Sequence, residues 1–226
     1  MEECNERSIL GHYGVHGDAG GCRGRLRDDY PAERGSFFVT SKGGGNGADF
    51  GGLTGADKHC QTLAAAAGLG DRTWRAYLSA SAAGSTPAVN ARDRIGTGPW
   101  RNVKGVVIAT SVDELHADNN LTKQTALTEK GTVVNGRGDT PNQHDVLTGT
   151  QRNGTAFVGS DDKTCGNWTK SGEGSAIVGH IDRSGLPTDP IDVSTSWNSS
   201  HASAGCSDPA LIKTGGAGLL YCFAVK

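Results

Sequence analysis

The chain has 226 residues, enough for one domain with a real core, or one domain plus an arm. Glycine takes 35 positions, about twice its average share, yet follows no three-residue period, so a collagen-like rod is excluded and a loop-rich domain is indicated. The formal net charge is −2 and no apolar run approaches the ~20 residues of a membrane span, which excludes the basic footprint of a nucleic-acid binder and a transmembrane helix.

Residues 1–35 are polar, with little to bury, and read as a disordered or weakly ordered N-terminal arm. The arm has no apolar stretch of signal-peptide length, so either the natural start lies elsewhere or the arm replaces a leader. Cys4 and Cys22 lie in it, as a pair or as free thiols. Order is expected from Ser36-Phe37-Phe38-Val39-Thr40, an aromatic and β-branched strand. The Gly43–Gly47 loop that follows lacks the Gly-Lys-Ser/Thr of a phosphate loop and reads as a surface loop.

Thr54 and Asp57 form a weak capping box, predicting a helix that places Cys60, Leu63, Ala64 and Ala67 on one face and stops at Gly68. Thr73–Ala80 alternates as a strand. Arg92–Arg94 and Pro99–Asn102 are turn-like, and Val103–Ala109 holds a buried strand. Ser111-Val-Asp-Glu114 caps a short helix to about Ala117. Residues 118–130 give no clear pattern. Strands are expected at Thr132–Gly136 and Asp145–Gly149, the chain then runs through Ser175–Ile181 into a Pro- and Asp-rich loop at Leu186–Asp192, and Gly218–Val225 is a core strand. One or two helices and six or seven short strands with long loops make an α+β fold over residues 36–226.

Outside the arm there are four cysteines, which permit three pairings. Joining Cys60 to Cys222 would tie the front helix to the last strand and leave Cys165 and Cys206 to staple the loop region. On a loop-entropy argument the long closure is worth roughly 5 kcal/mol and the short one about 4. No Cys-x₂₋₄-Cys pair supports a zinc ribbon.

The ordered set Gly55-Ala-Asp-Lys-His-Cys60, Arg75-Ala-Tyr-Leu-Ser79, Asp93-Arg94, Gly149 to Gly154, Thr164-Cys-Gly-Asn-Trp168, Gly179, Gly205-Cys206 and Leu220-Tyr-Cys222 resembles the C-type lectin-like fold, in its endostatin-like branch of bacterial secreted lectin-like domains. The resemblance implies the nested pairing Cys60–Cys222 and Cys165–Cys206. It also implies a secreted or surface binding module whose long loop region, 135–208, takes carbohydrate or another extracellular ligand. Calcium-dependent members carry a Pro-containing carboxylate triplet, which is missing here. They also carry Trp-Asn-Asp where this chain has Trp197-Asn198-Ser199. A calcium ion would fall to Asp161, Asp162 and Asn198. The charge-neutral domain does not reproduce an arginine-rich heparin face.

The ligand-binding candidates are therefore Asp161, Asp162, Trp197, Asn198, Ser199 and His201, with Trp197 able to stack on a sugar ring. Trp168 reads as core. His59, His144-Asp145, His180 with Asp182, and His201 show no HExxH-type spacing and read as loop or strand-edge residues. Arg137-Gly138-Asp139 is a chance tripeptide in a Gly-rich turn. There is no Gly-x-Ser-x-Gly elbow. The expectation is a non-catalytic, extracellular or periplasmic binding protein. The alternative is a structural or adhesion protein that uses the same scaffold for a protein partner, and a hydrolase ranks third.

Overall fold

The last strand, β8 (Gly216–Val225), is the axis of the molecule. The computed structural model describes residues 35–225; the expected arm, with Cys4 and Cys22, lies outside them except for Gly35. β8 alternates between two faces, as a pleated strand must. Leu220, Cys222 and Ala224 enter one core with Phe38, Cys60, Trp74 and Trp168. Leu219, Tyr221 and Phe223 enter a second core with Phe37, Tyr77, Trp100 and Trp197. This is why the sequence here is apolar at consecutive positions: both faces of the strand are buried.

β1 (Phe37–Val39) runs antiparallel along one edge of β8, pairing Phe37 with Phe223 and Val39 with Tyr221. Along the other edge lie β5 (Asp145–Leu147), parallel, and β2 (Thr73–Ala76), antiparallel. β5 continues the sheet to β6 (Ile177–His180) and β7 (His201–Ala202), both joined antiparallel. β3 (Trp100–Arg101) and β4 (Val107–Ala109) form a separate two-stranded sheet, so the turn-like stretch at Pro99–Asn102 is partly strand. The expected strand at 132–136 reduces to one bridge, Leu127 to Val133.

Helix α1 (Gly52–Ala66) buries Ala56, Cys60, Leu63 and Ala64 against the sheet; three of these are on the face read from the spacing, whose fourth member, Ala67, is half-buried at the C-cap. It starts two residues before Thr54, and Gly51 in the left-handed region precedes it with no side-chain cap. Asp57 does not cap; it accepts from the Ala76 N–H and pairs with Arg94, tying the helix to β2 and the following turn. The helix stops as expected at Gly68, whose φ is 76°. The Gly68 and Leu69 N–H groups fold back onto Ala65 and Ala64, a Schellman closure. α2 (Val112–Leu115) is capped by Ser111, which accepts from the Glu114 N–H.

Three further short helices escape periodicity because they are a turn or two long: α3 (Cys165–Trp168), α4 (Ile191–Ser194) and α5 (Asp208–Thr214). α3 is the unusual one. Its four residues all have positive φ, between 49° and 68°, so this turn winds left-handed. It is held by Thr164, by the Asp162 carboxylate on the Gly166 N–H, and by Asn167, which bridges the N–H and carbonyl of Ser81. Disulfides join Cys60 to Cys222 and Cys165 to Cys206, each with Cα atoms 5.7 Å apart. Among the described residues the fold is thus mixed α and β, with short sheets, five short-to-medium helices and two nested disulfides.

Candidate functional site

Sheet register builds the site. In the antiparallel β5–β6 pair, Asp145 stands opposite His180. One strand further out, His201 opposes Val178. His144 precedes Asp145 and lies against Gly215, the left-handed residue after α5; a Cβ there would come within 3.1–3.2 Å of the His144 ring and 2.6 Å of Asn142. Four side chains from three sequence-distant segments therefore converge. The His144 and His180 rings stack 4.2 Å apart, 14° from parallel, and His201 meets His180 edge-on.

The Asp145 carboxylate is the centre of this cluster. Its Oδ1 lies 3.2 Å from His144 Nε2, 3.3 Å from His180 Nε2 and 3.6 Å from His201 Nε2. Asp145 and His180 are each 2% exposed. The contacts are close but poorly aligned as hydrogen bonds. Neither carboxylate oxygen, nor His180 Nε2, has a hydrogen-bond partner among the described residues. A buried unsatisfied carboxylate is costly, and a folded chain keeps one only where something else meets it.

The other ring nitrogens fix the tautomers. His144 Nδ1 donates to Asp182 Oδ1 at 3.1 Å, His180 Nδ1 to the Ser194 carbonyl at 2.8 Å, and His201 Nδ1 to the Ala202 carbonyl at 3.1 Å. All three acceptors are oxygens without protons to give, because Asp182 is held below the usual carboxylate range. Burial pushes Asp182 up, but His144 and the N–H groups of Arg137 and Ser184 outweigh it. In the neutral rings each Nε2 then carries a lone pair close to the Asp145 carboxylate. Burial likewise disfavours charge on His180, yet Asp145, the Ser194 carbonyl and the Asp182 charge shift its pKa upward. The cluster calls for positive charge at its centre.

Above it opens a cleft of about 740 Å³, with Arg137, Asn142, His201 and Lys213 among its polar lining and Leu186 and Ile212 among its apolar lining. Most of the wall comes from the loop region 135–208, and α5 closes the far side. Ser200 Oγ lies 3.2 Å from His180 Nδ1, which with Asp145 makes a Ser-His-Asp chain of contacts. It is not wired as a nucleophile: the hydroxyl donates to the Val193 carbonyl and the Nδ1 proton is held by Ser194.

Of the residues expected from sequence, His201 is at this site and the others are elsewhere. Trp197 is 4% exposed, packed on Tyr77 and Tyr221, and offers no open face to a sugar ring. The Asn198 amide donates to Tyr77 Oη and to the Gln151 and Arg152 carbonyls, and its Oδ1 accepts from Ser196. That leaves it engaged inside the protein rather than facing a calcium ion. Ser199 is half-buried, and its N–H donates to Ser196 Oγ. Asp162 holds the left-handed turn, and exposed Asp161 lies 3.6 Å from Lys163. His144, Asp145 and His180 form the one group of three or more His, Cys, Asp or Glu among the described residues whose donor atoms all lie within 4.8 Å of one another. Local spacing could not reveal it, because the donors are neighbours across strands rather than along a helix. The available signal was His144-Asp145 at the start of an expected strand and His180 near the end of the run Ser175–Ile181. Neither a family model nor a curated protein matches the sequence.

Proposed function

We propose that this chain is a non-catalytic binding module of the C-type lectin-like, endostatin-like architecture, acting in an oxidising extracellular, periplasmic or cell-surface setting. Its ligand, carbohydrate or another extracellular molecule, is taken in the cleft over the histidine cluster. The observation that carries this reading is the cleft itself: the long loop region forms a concavity large enough for a sugar unit or a peptide side chain, with mixed polar and apolar walls. The two disulfides and the ordered motif set support the scaffold. Trp197 and Asn198 play no part in ligand contact on this reading; Arg137, Asn142, His201 and Lys213 do.

A glycan array probed with the oxidised full-length chain tests it. The expected result is binding that weakens when Arg137 and Lys213 are replaced by Ala. Binding unaffected by those changes, or altered instead by changes at Asp161, would move the site away from this cleft. A protein ligand is the second reading, favoured by Leu186 and Ile212, which stand 53% and 61% exposed in the cleft wall with Ile191 exposed on α4. Silence on glycans, with capture of an extracellular protein that is lost in Ile212→Asp, would select it.

A further inference from the structure

We propose that Asp145, His144, His180 and His201 form a divalent metal site of the zinc class at the floor of the cleft, with His201 as the outermost ligand on the side a bound molecule reaches. The donor set comes first. Three imidazole nitrogens and one carboxylate suit zinc and its neighbours, whereas calcium takes oxygens almost exclusively. Spacing comes second. Zinc bonds of about 2.0–2.2 Å in a tetrahedron set ligand atoms roughly 3.3–3.5 Å apart. The three Oδ1-to-Nε2 separations are 3.2, 3.3 and 3.6 Å.

The outer hydrogen bonds are the third and most specific feature. Metal-bound imidazoles almost always donate their other N–H to a carboxylate or carbonyl, which fixes the ring and frees the ligating lone pair. Here all three do so: His144 to Asp182, His180 to Ser194, His201 to Ala202. The result is three electron-rich atoms, one oxygen of Asp145 and one ring nitrogen each of His144 and His180, within 4.8 Å of one another, with His201 Nε2 3.6 Å from Asp145 Oδ1 and the Asp145 oxygens orphaned. A cation resolves all of these groups together. The His144 and His180 rings are stacked 4.2 Å apart in this structure. Serving one ion requires that near-parallel pair to splay.

Exposure orders the ligands. The side chains of Asp145, His180 and His144 are 1%, 2% and 5% exposed, whereas that of His201 is 35% exposed. His201 stands on β7, the last strand of the sheet, so a hydroxyl, carboxylate or other donor arriving through the cleft meets the metal beside it. This deepens the proposed binding role, but metal uptake is measured without any ligand, so the two can fail separately.

The test is zinc titration of the chelator-treated, oxidised full-length protein by calorimetry, with the visible spectrum of the cobalt-loaded form as a second readout. One zinc per chain is expected, with a tetrahedral or five-coordinate cobalt spectrum and no competition from calcium. Asp145→Asn should abolish the site. Asp182→Asn, which removes the charge behind His144 and leaves one acceptor oxygen where the carboxylate served His144 and the Arg137 and Ser184 N–H groups, should weaken zinc by roughly 10- to 100-fold. His201→Ala, at the exposed rim, should also weaken it while leaving the circular-dichroism spectrum unchanged, so a folding failure of Asp145→Asn does not remove the test. Absence of zinc uptake by the folded protein would overturn the proposal. So would uptake indifferent to Asp182→Asn and His201→Ala, which would place the zinc on other histidines such as His59 or His116.

Discussion

Trp197, Asn198 and His201 fall within five positions of one another, yet only the last faces the cleft. Trp197 fills the second core and Asn198 satisfies a tyrosine hydroxyl and two backbone carbonyls. Changes there belong to stability. Trp197→Ala should cost about 3–5 kcal/mol, as removal of a packed indole does. Asn198→Ala should cost about 1–3 kcal/mol by leaving buried partners unmet. His201→Ala in metal-free protein should stay within about 0.5 kcal/mol. Urea unfolding of the metal-free variants checks all three. If Asn198→Ala proved neutral in stability and lost ligand instead, the sugar-contact role expected from its sequence position would return. A pattern of Trp-Asn-Ser-Ser places residues on a loop, but it does not say which side chains turn inward. That choice is made by Tyr77 and Tyr221, which lie 120 residues upstream and 24 downstream of Trp197.

Elements with a period were legible, and elements built from a single turn were not. α1 and β8 announce themselves through spacing of 3.6 and through an unbroken apolar run. The left-handed turn α3 has no such signal beyond Gly166-Asn167, two residues that tolerate positive φ, and it forces Cys165 and Trp168 into the same region. Its hydrogen-bonded supports hold it there, Asp162 foremost. Partial burial raises the Asp162 pKa, but the N–H groups of Gly166 and Thr164 and the charge of Lys170 outweigh it, so its carboxyl sits below the ordinary aspartate value. A carboxylate depressed on folding stabilises the native state above its unfolded pKa, about 3.9, and that contribution is lost as pH falls through the folded value. Asp162→Asn should therefore flatten the fall in stability below about pH 4 while lowering stability near neutrality. Chemical unfolding at pH 7 and at pH 3 measures this, and an unchanged acid profile would show that Asp162 is not the group that titrates against the turn.

At the scale of the whole molecule the two disulfides do different work. Cys60–Cys222 joins α1 to the central strand across 162 residues, and Cys165–Cys206 closes 41 residues around the left-handed turn. On chain entropy alone the first is worth about 5 kcal/mol and the second about 4. The residues alone leave three pairings open; the nested one is preferred because it ties the front helix to the last strand, and the full set comes from the family resemblance. The histidine–aspartate cluster was not legible, because it exists only once β5, β6 and β7 are in register. Replacing each pair by alanines and comparing unfolding free energies separates two influences. If denatured-chain entropy governs, the Cys60/Cys222 variant loses more, by roughly 1 kcal/mol beyond the other. The reverse order would mean that Cys165–Cys206 acts mainly on the native state, holding in place a turn whose non-glycine residues would otherwise each disfavour their conformation by roughly 1–2 kcal/mol. In that event the Cys165/Cys206 variant should also lose the Asn167–Ser81 bridge. Hydrogen exchange would register this as loss of protection at the Ser81 N–H, which that bridge holds at 2.8 Å.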